Sequence, residues 1–378
     1  MTKTKIFDVV IVGGGIAGLT TAIHLSKFKQ SVLLIEKNSY PKHKVCGEYV
    51  SNEVIPYLNF LGIYPIKEGA KKISKVQIST IKGNLITGEL PLGGFGISRF
   101  FFDSLLLKKA SFNGVKVLKD TVNFISYKNG VFFIKTKNSK SYESKITIGA
   151  FGKRSELDQK MKRKFIQNKS PYLAVKLHVK GNFPDNMIGL HNFNGGYCGV
   201  SKVENNSINL CYITDYKSFK KFKNISTFQK KVVYKNKHLK KIFEQSTSVF
   251  EKPLTISQIS FESKRPVENH VIMCGDTAGM IHPLCGNGMG MAIISAQLAS
   301  NLILQFLKGE IKTRENLEKK YIKNWNKEFK KRLVTGHLIA KLFRNKIISQ
   351  FVYSILKMIP SLLIVLIKFT HGKNVKIV

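Results

Sequence analysis

The stretch from Phe7 to Glu36 constrains what this chain can fold into more than anything else in it. Phe7 to Val12 (FDVVIV) is a short apolar run rich in β-branched side chains, which fits a strand buried on both faces. Gly13-Gly14-Gly15 follows. Ile16 to Lys29 then carries apolar residues at helical spacing (Ile16, Leu19, Ile23, Phe28), and Ser31 to Ile35 (SVLLI) is a second strand that ends at Glu36. This is one complete βαβ unit. In Gly13-x-Gly15-x-x-Gly18 the first glycine permits the tight turn, the second lets backbone approach a pyrophosphate, and the third lets helix and sheet pack closely. The helix N-terminus, with Ala17 in its first turn, offers free N–H groups to phosphate. Glu36, followed by Lys37, is placed to accept a hydrogen bond from a ribose hydroxyl, and an acidic residue there favours FAD or NAD over NADP.

A second signal selects between the two. Val271 to Cys274 (VIMC) reads as a strand. Gly275-Asp276-Thr277-Ala278-Gly279 follows, then Pro283, Gly286-Asn287-Gly288-Met289 and a long helix from about Met289. A carboxylate and a helix N-terminus at one place suit the ribityl hydroxyls and the negative charge of a reduced flavin. The nucleotide unit is therefore discontinuous: residues 1–72, 98–170 and 261–330. Between its parts, residues 73–97 and 171–260 show repeated strand-like runs (AVKLHV, MIGLHNF, GYCGVSKV, SINLCYI), with a lysine-rich helical stretch around Phe219 to Phe243. They read as an antiparallel substrate domain. Residues 331–378 form a C-terminal helical segment. The fold class is thus α/β, a Rossmann-like parallel sheet with an inserted antiparallel sheet.

With these pieces in this order, the chain resembles the geranylgeranyl reductase-like branch of the class A (para-hydroxybenzoate hydroxylase-fold) FAD-dependent oxidoreductases. The resemblance rests on the glycine motif with Glu36, the loop Pro41-x-x-Lys44-x-Cys46-Gly47, Ser98-Arg99 before Phe102-Asp103, Gly149-Ala150-x-Gly152-x-x-Ser155, and Gly275-Asp276 with its glycines. It implies that Lys44, Cys46, Gly47, Arg99 and Gly152 contact FAD. It also implies that Val122 does so through its backbone, and that Asp276, Gly286, Gly288 and Met289 line the flavin. NAD(P)H is the electron donor it brings with it, but Phe151 stands where the family usually has an Asp tied to nicotinamide use. The family's Tyr-x-Trp-x-Phe-Pro stretch has its nearest counterpart in Gly196 to Ser201, without the Trp and the Phe-Pro. The lone tryptophan, Trp325, argues against the Trp-rich motif of the halogenases.

The resemblance implies oxidoreductase chemistry, and three side chains are candidates to take part in it. Cys46 sits in the flavin loop, where His43 and Lys44 would favour its thiolate. Tyr197, and His282 beside Pro283, could each donate a proton after hydride transfer. His191, also in the substrate sheet, reads more simply as a structural residue. No metal-ligand spacing occurs, and five scattered cysteines fit a reducing compartment better than a disulfide framework.

The charge is strongly basic, with 62 Lys and Arg against 23 Asp and Glu, a net +39. Such a field attracts anionic lipid or acidic, carrier-bound substrates. No pattern of basic and aromatic residues points to nucleic acid. From Lys346 to Phe369 the chain is apolar but interrupted by Lys357 and Pro360, so an interfacial or buried helix pair is expected rather than a span. The expectations are a cytoplasmic enzyme, peripheral at the inner face of the membrane, reducing carbon–carbon double bonds of a hydrophobic or carrier-bound substrate. The alternatives are a monooxygenase acting on an aromatic or polyene compound and a non-catalytic flavin-binding accessory protein.

Overall fold

The computed structural model describes residues 6–168, 170–222, 224–257, 259–344, 346–359 and 361–377. Two sheets lie at its centre. In the first, Ile6–Val12 is flanked in parallel by Val32–Glu36 and Ser141–Gly149. Lys116–Lys119 extends one side and Val271–Met273 the other, both parallel. Val9, Val10 and Ile11 have no exposed surface, as expected of a strand covered on both faces. Val12, Gly149 and Met273 end side by side. Three loops therefore leave the sheet at its carboxyl edge, where ligands bind in such folds. An antiparallel hairpin, Val122–Lys128 and Val131–Thr136, joins through Ser141–Gly149.

The second sheet runs Thr247–Ser248, Tyr172–Lys180, Ile208–Asp215, Gly196–Lys202, Met187–Phe193, Lys71–Ser79, Leu85–Gly96, Tyr49–Ser51. Its pairs are antiparallel except Met187–Phe193 with Lys71–Ser79. Side chains alternate between its faces. Val175, Leu177 and Val179 pack with Val200, Leu210 and Tyr212 against Phe228, Val233 and Leu239 of the outer helical stretch. Ala174, Lys176 and His178 point the other way, toward the nucleotide unit.

The sequence boundary at residue 73 needs correcting. Tyr49–Ser51 and the start of Lys71–Ser79 belong to the second sheet. A three-residue strand buried throughout has no alternation from which to read it.

The helix Gly288–Leu307 packs against the helix Ile16–Lys27, and the long helix Arg314–Arg344 packs on it in turn. Lys346–Met358 and Ser361–Thr370 return across the second sheet, burying Leu356 and Leu363 against Ile73, Val76, Ile78 and Ile86. The chain end is tied back to Glu53, whose carboxylate accepts from Gly372 N–H (2.8 Å) and pairs with Arg332 (3.1 Å).

Candidate active site

The glycine turn has the geometry its sequence requires. Gly13 has φ +106°, and a Cβ on it would lie 2.3 Å from the Ala150 carbonyl oxygen. A Cβ on Gly18 would lie 1.9 Å from the Gly13 carbonyl oxygen. Gly15 differs: its nearest neighbour would be Arg99 Nη2 at 3.7 Å, so this glycine faces open space. Glu36 is buried behind the turn and accepts hydrogen bonds from Gly14 N–H (2.7 Å) and Asn38 N–H (2.9 Å).

A cationic wall faces the turn. Ser98 caps the helix Arg99–Phe112, which places Asp103 one turn beyond Arg99. Arg99 grips that carboxylate through Nε and Nη2, both at 2.8 Å, and Lys44 Nζ reaches it at 2.7 Å. Burial alone would raise the Asp103 carboxyl, but Arg99 and Lys44 outweigh it and hold it below its ordinary range. Two cations against one anion leave positive charge beside Gly15, which suits a pyrophosphate. Sequence reasoning passed over Asp103 as a site residue, although its i+4 spacing from Arg99 was available.

The third wall is the turn after Val271–Met273. Gly152 N–H donates to Thr277 Oγ1 (2.8 Å), joining the turn to the first sheet. Buried Lys264 donates to the carbonyls of Lys153 (2.9 Å) and Asp276 (2.7 Å). Burial lowers its pKa to about 8, although Asp276 and Asp158 oppose that shift. Gly286 is left-handed (φ +65°), and the long helix opens at Gly288 with its first amides toward the cavity. Around this cavity Gly47, Gly152 and Gly288 would each meet nothing within 4 Å of a Cβ. Glycines facing open space, free helix amides and a paired guanidinium together fit FAD.

Of the other sequence candidates, Ala17, Cys46, Asp276 and Met289 line this cavity. Lys37 is exposed at the end of its strand and outside the cavity. Val122 also lies outside it, three residues beyond Lys119, the sheet partner of Glu36. Tyr197 lines the flavin cavity and also a neighbouring one of about 490 Å³. His282 lines the latter, its ring 6.2 Å from Tyr197 and 4.7 Å from Phe261. The neighbours proposed to activate Cys46 are otherwise engaged: Lys44 is bonded to Asp103, and burial, then Lys176 and His178, lowers the His43 pKa to about 4. His191 lines neither cavity. It bonds Ser79 (2.9 Å), and burial, then His238, takes its pKa to about 3.

A third cavity adjoins the flavin site and is almost wholly apolar. Tyr49, Ile188, Leu190 and Gly286 line both, and its far walls are Val76, Ile78, Leu356, Leu363 and Leu366.

One buried cluster was not foreseen. Glu48, in left-handed conformation beside Gly47, has no exposed surface. It pairs with Lys176 Nζ, accepts from His178 Nε2 (2.6 Å), and accepts from Arg99 N–H (2.7 Å). Asn209 donates to the carbonyls of Cys46 (3.2 Å) and Gly47 (2.9 Å). The second sheet thus holds the flavin loop in place. Burial raises the Glu48 carboxyl, but Lys176 and then His178 overcome this, and the net shift is downward from 4.5. A carboxyl depressed in the folded state stabilises it above the ordinary pKa, and the contribution is lost as pH falls through the lower folded value. Lys176→Met strands a buried carboxylate and should cost about 3 kcal/mol. Denaturant melts should show the full deficit at neutral pH, closing as the medium is acidified below 4.5.

The FAD dependent oxidoreductase family matches residues 8–45, and the squalene epoxidase family matches residues 210–344. Digeranylgeranylglycerophospholipid reductase 1 of Methanosphaera stadtmanae is 26% identical over 351 residues, covering 85% of this chain and 80% of that protein. A 1H-pyrrole-2-carbonyl-[peptidyl-carrier protein] brominase of Pseudoalteromonas luteoviolacea is 28% identical over 191 residues, 48% of this chain and 47% of the brominase. The structure of the flavin-dependent brominase Bmp2 superposes with a TM-score of 0.80 at 19% identity, covering 97% of this chain and 93% of that one. That likeness establishes the shared fold.

Proposed function

This chain being an FAD-dependent oxidoreductase, we propose that it reduces carbon–carbon double bonds in an amphipathic, lipid-like substrate. The observation that carries this reading is a small apolar cavity, about 80 Å³, that shares Tyr49, Ile188, Leu190 and Gly286 with the flavin site. Its walls present hydrocarbon, which gives room to a short stretch of an unsaturated chain and offers little to a polar one. The cavity on the other side of Tyr197 is mixed in character, with Asn192, His282 and Lys341 among its walls, and suits a polar end. The similarity to a digeranylgeranylglycerophospholipid reductase along most of both chains supports the same reading.

FAD, bound and reduced, supplies a hydride. The chain's own residues do the rest. Gly15, Arg99 and Lys44 hold the pyrophosphate, and Asp103 keeps the two cations in place. The helix opening at Gly288 stabilises negative charge at its N-terminus. The second hydrogen arrives as a proton, which Tyr197 donates from its hydroxyl. Burial raises the pKa of that hydroxyl well above its ordinary value, so it stays protonated until used. Gly199, two residues on, leaves the flavin cavity without the bulk that the reductase family's Trp supplies.

The test uses the purified holoenzyme without oxygen, with dithionite, NADH and NADPH in separate arms and a detergent-dispersed polyunsaturated polyprenyl lipid. Mass spectrometry should show two hydrogens gained per reduced bond. The separate arms matter because Phe151 replaces the Asp tied to nicotinamide use. Recovery of unchanged lipid from fully reduced enzyme would overturn the reading. The likeness to brominases favours a second reading, oxygen-dependent halogenation or hydroxylation of a carrier-bound or aromatic substrate. Trp325 packs against Gly279, behind the flavin turn. Substrate-dependent oxygen uptake, with oxygen or halogen in the product, identifies this second reading.

A further inference from the structure

We propose that the C-terminal helix pair is a membrane-docking element that seats the protein on an anionic bilayer, with the apolar cavity directly behind it. The use of the cavity as a lipid route rests on the reductase reading; the docking does not. Three observations converge.

The first is exposure. Helices that lie on a protein surface keep one apolar face inward and a polar face outward. This pair is apolar on both. Leu356 and Leu363 are buried against the second sheet, while Phe351 (67% exposed), Met358 (81%) and Phe369 (61%) lie open. Phe351 and Met358 are seven residues apart and share a helix face. Val334 and Leu338, at i and i+4 on the long helix, add exposed apolar surface.

The second is charge. From Phe329 to the end of the sequence there are ten Lys and Arg residues and not one Asp or Glu. Lys357, Lys368 and Lys373 are exposed among the apolar residues. Apolar side chains interspersed with lysine complement the headgroup layer of an anionic bilayer. An acidic carrier protein would satisfy the lysines alone.

The third is geometry. Gln350–Met358 and Ser361–Thr370 lie at 117° to one another, and each limb is too short to cross the hydrocarbon core, about 30 Å thick. The pair lies in the interface instead. The helix Gly288–Leu307 is long and apolar enough to span, but 67% of its apolar window is buried inside the protein, where it opens the flavin site. The inward face of the docking pair, through Leu356, Leu363 and Leu366, forms one wall of the apolar cavity. Behind that wall the cavity, about 80 Å³, also touches Tyr49 and Gly286 of the flavin site.

The experiment is flotation of the full-length holoprotein with vesicles of phosphatidylcholine alone or mixed with phosphatidylglycerol. Wild type should float with the mixed vesicles, less as salt rises. The triple variant Phe351→Ser/Met358→Ser/Phe369→Ser should lose this partitioning by about tenfold or more, since each change removes exposed apolar area. It should keep its FAD and its melting temperature, because none of the three is buried. It should also still reduce detergent-dispersed lipid while failing on lipid presented in vesicles. Equal flotation of variant and wild type overturns the docking, as does failure of wild type to float, including the case where it binds an acidic carrier protein instead. If flotation behaves as expected but no lipid is reduced in either form, the reductase reading fails and the docking stands.

Discussion

Gly18→Ala is expected to purify without FAD. The added methyl would lie 1.9 Å from the Gly13 carbonyl oxygen and 3.3 Å from Ala150 Cβ. Gly13 cannot retreat, because its own α-carbon is pressed toward the Ala150 carbonyl, where a Cβ would meet oxygen at 2.3 Å. The main obstacles, the Gly13 and Ala150 carbonyls, are backbone at the carboxyl edge of the parallel sheet, so the helix Ile16–Lys27 must move away from the turn. Overpacking of this kind costs about 1–3 kcal/mol. The larger consequence is that the helix amides leave the position from which they would hold phosphate. Gly15→Ala is the informative companion. Its methyl has room in the protein, with Arg99 Nη2 at 3.7 Å, but it intrudes where the pyrophosphate approaches. That variant should fold with an unchanged melting temperature and bind FAD about tenfold more weakly. Flavin absorbance and melts with and without added FAD separate the two. Gly18→Ala that retains stoichiometric FAD would place the cofactor elsewhere.

What the sequence made legible follows from how local each signal is. The glycine turn, Glu36 and the turn at Gly275 are read from spacing because strand, turn and helix are contiguous there. Arg99 came instead from the resemblance, although its helix does follow its Ser98 cap directly. The cluster of Glu48, Lys176, His178 and Asn209 was not legible. Its members are brought together by the second sheet from two separate strands and a loop, and a buried lysine looks like any other in a chain with 62 basic residues. For the same reason Cys46 was assigned activating neighbours by proximity in sequence. In the fold Lys44 turns to Asp103, a partner 59 residues away. Tyr49–Ser51 escaped because a strand buried on both faces carries no period. The C-terminal segment was read as too interrupted to span, and the structure bends it by 117° at its break. Its second apolar face, outside rather than inside, needed the structure.

Tyr197→Phe tests the proposed chemistry most directly. The ring packs with Ala174, Ile213 and Met280, and phenylalanine keeps that packing. What is lost is a hydroxyl that makes no hydrogen bond among the described residues and stands between the flavin cavity and its neighbour. If that hydroxyl delivers the proton, turnover should fall by about 10²–10⁴-fold, the range for a lost general acid. FAD content, reduction by dithionite and substrate KM should be nearly unchanged, because no binding contact is removed. A merely structural role for Tyr197 predicts the reverse, altered stability or KM with kcat preserved. His282, whose ring lies 6.2 Å from that of Tyr197, is the other candidate donor. It differs in a way that the pH profile can read. A phenol raised far above its ordinary pKa by burial stays protonated across the neutral range, so turnover through Tyr197 should be flat there. A histidine donor would lose activity as it deprotonates with rising pH. A flat profile in wild type, together with loss of turnover in Tyr197→Phe, assigns the proton to the phenol. A falling profile that survives the substitution moves the role to His282.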